Sequence, residues 1–155
     1  MKETVGRSIG MLSNLIRRHF STFSFHDTLS PAQGKTLHFI LARSMDTDVF
    51  QKDVEEEYSL RPPTATKILK DMEKNGLIRR ETVPYDARLK RIVVTEKGLQ
   101  YQGMIRESLE ETERRLTAGI TEDDLATFFR VISRMIRNRL EDERKGKSGA
   151  ITDRK

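Results

Sequence analysis

The sequence predicts a mainly α fold carrying one small β-hairpin, with long amphipathic helices at both chain ends. Three observations lead there. Apolar residues recur at helical spacing near each end, as in Val5, Ile9, Leu12, Ile16, Phe20 and Phe23. In the middle, "SLRPP" separates two short helical segments. The β-rich stretches "LIRRETV" and "RIVVT" then flank "PYDARLK", the pattern of two antiparallel strands joined at a tip.

The elements follow in order. Residues 4–24 read as a helix, its stripe widened by Leu15. "LSPAQ" is a start signal, with Ser30 as N-cap, Pro31 at the first helical position and Gln33 completing a capping box. That helix runs to about Arg43 with Leu37, Ile40 and Leu41 inward. "SMDTDVF" is a link with a very short strand at Val49–Phe50, followed by a short helix over about Gln51–Tyr58. Pro62 and Pro63 suit the first turn of a new helix, capped by Leu60 or Arg61 and ended by Gly76. After the hairpin, with its long tip, Thr95 caps a helix over about Glu96–Leu116. Thr121, with Asp124 three residues on, caps a last helix to about Glu143. Its stripe is Leu125, Phe128, Phe129, Ile132, Met135, Ile136 and Leu140. Residues 1–143 thus read as a single domain, and 144–155 as a mobile basic tail.

Composition narrows the function classes. Hydrophobic residues make up 35% and charged residues 34% of the 155-residue chain, against about 25% charged in ordinary domains. An elongated helical protein that completes its core by pairing with a second copy fits this balance. The absence of cysteine excludes disulfides and cysteine zinc sites, and His19, His26 and His38 form no metal-ligand motif. No apolar run approaches the ~20 residues of a membrane span, and the N-terminus lacks a signal-peptide core. The expectation is a cytoplasmic protein without a membrane partner. No nucleophile–base order, phosphate-cradling glycine loop or HExxH helix appears, so no enzyme activity, cofactor or metal is expected.

Charge is segregated along the chain. Residues 44–59 hold six acids against Lys52, whereas residues 60–95 hold nine Lys or Arg against four acids. This points to a directed contact with a polyanion. Two short helices around a tight turn form a helix-turn-helix candidate. On the wheel of the second, Ala65, Ile68, Leu69 and Met72 cluster inward, with Pro63, Lys67, Lys70 and Lys74 opposite them.

The run "LSPAQGKTLHFI", then "QKDVEEEYSLRPPTATKILKDMEKNGLIRRETVPYDARLKRIVVTEKG", resembles the multiple-antibiotic-resistance-regulator (MarR) family of bacterial transcription factors. The likeness covers residues 29–98 and is most specific at Met72–Ile78, at the Asp86-x-Arg88 motif and at Val94–Gly98. The resemblance implies a winged helix-turn-helix core flanked by dimerisation helices, 4–24 and 96–143. It also implies a homodimer on duplex DNA, usually a repressor, tuned by a small aromatic or anionic effector. The chain departs from the family at Arg61 and Pro63, where Ser or Thr is common.

A recognition helix enters the major groove N-terminal half first. That brings Arg61, Pro63, Thr64, Thr66 and Lys67 nearest the bases, with Lys70 and Lys74 toward phosphates. Arg61, Thr64 and Lys67 are the expected base readers, and Thr66 either reads a base or packs against a neighbouring helix. In the hairpin, Arg88 suits a narrow, electronegative minor groove. Asp86 faces the wrong charge for DNA, so its expected role is to orient Arg88 by a charge-assisted hydrogen bond. Lys90 and Arg91 would take phosphates. Arg17, His19, Phe20 and Phe23 on the first helix and His38 on the second form the expected effector pocket, although such phenylalanines are more often plain core and such histidines more often ordinary surface or core-edge residues. A second reading is a winged-helix module that binds an acidic protein partner. An apolar or mixed outer face on the second helix would favour it, and here that face is cationic.

Overall fold

The computed structural model describes residues 2–22 and 29–152, with side chains over 2–18 and 29–146. The elements are α1 (Val5–Thr22), α2 (Pro31–Arg43), α3 (Gln51–Glu57), α4 (Pro62–Lys74), β1 (Ile78–Val83), β2 (Asp86–Val94), α5 (Glu96–Leu99), α6 (Gln102–Leu116) and α7 (Glu122–Thr152). They fall into two compact units, Met1–Glu113 and Arg114–Lys155.

In the first unit the helix starts are local chemistry. The Ser30 hydroxyl accepts from Gln33 N–H at 3.2 Å while Gln33 Oε1 accepts from Ser30 N–H at 3.0 Å. Asp53 does the same for α3, accepting from Phe50 N–H at 2.8 Å. Pro62 opens α4 behind Arg61, which caps without a side-chain hydrogen bond. At the other end Gly76 takes φ +72°, and Leu77 N–H reaches back to the Met72 carbonyl at 2.9 Å. This is a Schellman ending, which a Cβ at Gly76 would strain. It aims the chain from α4 into β1.

The core gathers one or two residues from each of six elements: Leu37 and Ile40 from α2, Val54 from α3, Leu69 and Met72 from α4, Ile78 from β1, Ile92 from β2, and Ile105 from α6. Val49 joins them from the link, and its carbonyl accepts from Ile92 N–H at 2.7 Å. The short strand expected at Val49–Phe50 is therefore reduced to a single hydrogen bond beside β2.

Two further details differ from the sequence expectation. The hairpin's long tip is a two-residue turn, Pro84–Tyr85, followed by an irregularity in β2. Thr82 opposes Lys90 and Val83 opposes Asp86, leaving Ala87, Arg88 and Leu89 with no partner on β1. The helix after Thr95 is broken into α5 and α6 around Gln100 and Tyr101, where Tyr101 N–H turns tightly onto the Gly98 carbonyl. A Cβ at Gly98 would collide with the Leu77 carbonyl oxygen and lie 2.7 Å from Val94 Cγ1, so α5 is closely packed at this point. Gly98→Ala is expected to destabilise the protein by about 1–3 kcal/mol through overpacking, read as a lowered melting temperature.

The second unit holds the end of α6, a turn at Gly119 with φ +77°, and α7. The Thr121 hydroxyl accepts from Asp124 N–H at 3.2 Å, and Glu122, Asp123 and Asp124 occupy the first turn, where the helix dipole favours acids. The helix continues through Thr152 rather than ending near Glu143. Residues 144–152 of the segment expected to be a mobile basic tail are part of that helix. Phe128, Phe129, Val131, Ile136 and Leu140 are exposed on α7, as Val5, Ile9, Met11, Leu12 and Leu15 are on α1.

Candidate nucleic-acid interface

α3 and α4 are joined by the turn at Tyr58–Arg61, where Ser59 takes φ +49° and Leu60 N–H bonds the Glu55 carbonyl at 2.9 Å. Their packing is fixed by buried Val54, Ala65 and Leu69. Gln51 Nε2 adds a polar tie, donating to Thr66 Oγ1 at 2.9 Å and to Glu55 Oε1 at 2.9 Å. Thr66 is half-buried, and its hydroxyl accepts from Gln51 within the protein. Tyr58 locks α3 onto α2: its hydroxyl donates to the Lys35 carbonyl at 2.9 Å and its ring meets Phe39 edge-on at 6.0 Å. Burial, helped by Glu57, pushes the Tyr58 phenol up to about 12, so it stays a neutral donor.

The outer face of α4 is cationic and open. Arg61, Pro63, Thr64, Lys67, Lys70 and Lys74 are exposed. Lys67 pairs only loosely with Asp71, at 3.8 Å with both side chains mostly in water, a pair worth a few tenths of a kcal/mol. Pro62, Pro63, Thr66, Lys67, Lys70 and Asp71 line a shallow surface hollow of about 510 Å³ along this face.

The hairpin carries the second cationic feature. Arg88 is 91% exposed, and Asp86 holds it three ways. One carboxylate oxygen accepts from Arg88 N–H at 2.9 Å and from Nε at 3.2 Å, and the other accepts from Nη2 at 3.3 Å. The Arg88 guanidinium, then its backbone N–H, hold the Asp86 carboxyl below its ordinary value of 3.8. A depressed carboxylate pKa keeps the pair intact above that value and releases it only as pH falls into acid. The two side chains meet as the Asp-x-Arg spacing leads one to expect, and Lys90 beside them is exposed.

Arg91, expected at a phosphate, is ion-paired within the protein. Its Nε and Nη2 donate to Glu81 Oε2 at 3.1 and 2.9 Å, and its Nη1 donates to Asp48 Oδ1 at 3.2 Å. Glu81, directly opposite Arg91 in the strand register, also accepts from Arg79 Nε at 2.7 Å. Arg79 first, then Arg91, hold the Glu81 carboxyl below the usual range, and Glu81, then Asp48, raise the Arg91 guanidinium further. Arg91 thus ties β2 to β1 and to the link, with its side chain 41% exposed. Asp48, Glu81 and Tyr85, which no sequence motif singles out, belong to this cluster. A correct strand register would have revealed Glu81, since cross-strand partners carry opposite charge here.

Of the residues expected around an effector, Arg17 is exposed on α1 and His38 is half-buried on α2. The side chains of His19 and Phe20, and all of Phe23, lie outside the described residues. Among the described residues there is no group of three or more His, Asp or Glu able to hold a metal ion, and no helix is long and apolar enough to cross a membrane.

A family model described as the MarR family matches residues 27–89, the segment from the start of α2 to the hairpin tip. The fold is similar to the transcription regulator MarR from Oenococcus oeni PSU-1, with 25% identity over 86% of this chain and 99% of that one, TM-score 0.76. It is also similar to the S. aureus MepR–DNA complex, at 21% identity over 88% of this chain and 99% of that one, TM-score 0.80. A putative MarR family transcriptional regulator from Listeria monocytogenes, complexed with 26mer DNA, matches at 22% identity over 92% of each chain, TM-score 0.79.

Proposed function

We propose that the chain is a winged-helix transcription regulator of the MarR family and, from that premise, a homodimeric repressor of a pseudo-palindromic duplex operator. The observation that carries the reading is the pairing of two cationic features. The outer face of α4 presents Lys67, Lys70 and Lys74, and the neighbouring hairpin presents Arg88, already oriented by Asp86. DNA-bound relatives of the same fold support it, since the S. aureus and Listeria proteins are complexed with DNA. Arg61, Pro63, Thr64 and Lys67 lie on the base-reading half of α4, Lys70, Lys74 and Lys90 serve phosphates, and Arg88 enters the minor groove.

Residues 29–98 form the DNA-reading core of one domain, 1–143, while 4–24 and 96–143 supply the dimer contact. The exposed apolar faces of α1 and α7 support that contact. A second copy covering them sets two α4 helices about one helical turn of DNA apart. A small aromatic or anionic effector near Arg17 and His38 would tune the complex. An acidic protein partner suits α4 less well: among the described residues of that helix no large hydrophobic is exposed.

The test is fluorescence anisotropy against duplex DNA from upstream of the protein's own gene, at two salt concentrations, with a shuffled duplex as control. Specific recognition appears as a preference of about 10³-fold or more. Equal, steeply salt-dependent binding to both duplexes would reduce the activity to phosphate contact. In the same assay, Lys70→Ala is expected to lower the slope of log affinity against log salt by about one. It should do so equally on both duplexes, because a phosphate contact reads no sequence.

A further inference from the structure

The link between α2 and α3 grips the hairpin through two consecutive residues. Val49 does so by its carbonyl, which accepts from Ile92 N–H. Asp48 does so by its carboxylate, which takes Arg91 Nη1 at 3.2 Å on one oxygen and, at a long 3.5 Å, the Tyr85 hydroxyl on the other. Tyr85 lies in the turn and Arg91 lies on β2 beyond the unpaired residues Ala87, Arg88 and Leu89. One carboxylate therefore spans both ends of the irregular segment that carries Arg88. Across the hairpin, Glu81 holds the other edge of the Arg91 guanidinium.

We propose that Asp48 is a positioning residue for DNA recognition, a strut between the link and the wing that sets where Arg88 is presented. The proposal deepens the DNA-binding reading above and rests on it. A two-stranded hairpin is marginal by itself, and here the three residues around Arg88 lack a strand partner. Without the strut the tip is held only by contacts within the hairpin, and the added freedom must be lost again when DNA binds. Charge alone assigns Asp48 the opposite effect, because a carboxylate next to a polyanion contact repels it. The two roles thus predict opposite signs for the same substitution.

Asp48→Asn is close to isosteric, and the Asp48 side chain is 36% exposed, so the fold tolerates it. With the duplex from upstream of the gene, the variant is expected to bind about three- to ten-fold more weakly, despite having lost a negative charge. In an Arg88→Ala background the same change is expected to cost nothing, because the strut acts through Arg88. Hydrogen exchange in the free protein should quicken at residues 84–90 and stay unchanged in α2 and α4. Asp48→Asn binding as tightly as wild type or more so, or weakening both backgrounds equally, would overturn the proposal while leaving DNA recognition intact. If wild type itself fails to prefer the upstream duplex, the functional reading is at fault. Hydrogen exchange then decides on the strut alone, and unchanged rates at residues 84–90 overturn it.

Discussion

Arg88→Ala is expected to weaken operator binding by about 10- to 100-fold at physiological salt, the 1–3 kcal/mol of a well-placed arginine contact. The side chain is 91% exposed and its intramolecular partner is Asp86, so its loss leaves the core untouched. A plain surface arginine would cost far less, because an isolated exposed charge is screened within about 8 Å. The difference comes from preorganisation. Asp86 takes both Nε and Nη2 of Arg88, which limits the rotamers that binding would otherwise have to select. The check is anisotropy with Lys145→Ala as a control of equal charge change. Equal affinity for wild type and Arg88→Ala would remove the hairpin from the DNA contact. Melting temperatures of all three proteins should agree within a few degrees.

The larger effect is expected from the long C-terminal helix. Phe128 and Phe129 meet edge to face at 5.6 Å while remaining 48% and 54% exposed, and Ile136 is 53% exposed. Under the proposed dimer, this apolar face is the surface that the second copy covers. Phe128→Glu combined with Ile136→Glu places two charges on that face, where burial against a partner is strongly unfavourable. Sedimentation equilibrium is expected to give twice the 18.0 kDa chain mass for wild type and the single-chain mass for the variant. Operator affinity should fall by about 10²-fold or more, since two linked half-sites become two independent ones. A variant that stays dimeric, or a monomer that binds as tightly as wild type, would dismiss the dimer contact.

Much of this architecture is set within spans of three or four residues, and for that reason it is legible in the sequence. The Ser30–Gln33 box, the Thr95 and Thr121 caps and the Gly76 ending each depend on a donor and acceptor brought together by one helical turn. The wheel of α4 behaves likewise: periodicity alone separates buried Ala65, Leu69 and Met72 from the lysine face. Even the Asp86–Arg88 contact is local, two residues apart.

What the sequence by itself determined, then, is the kind and order of the elements, their caps and the two cationic features. Tertiary structure decided everything set by partners distant in the chain. Arg91 looks like one more basic residue until the fold brings Asp48, 43 positions away, against it. Thr66 is bound by Gln51 because α3 and α4 pack, and position 98 must be glycine because the Leu77 carbonyl, 21 positions away, leaves no room for a Cβ. Periodicity reports which face of an element is apolar. It carries no information about which distant side chain will share a hydrogen bond, because that depends on the three-dimensional path of the chain between them.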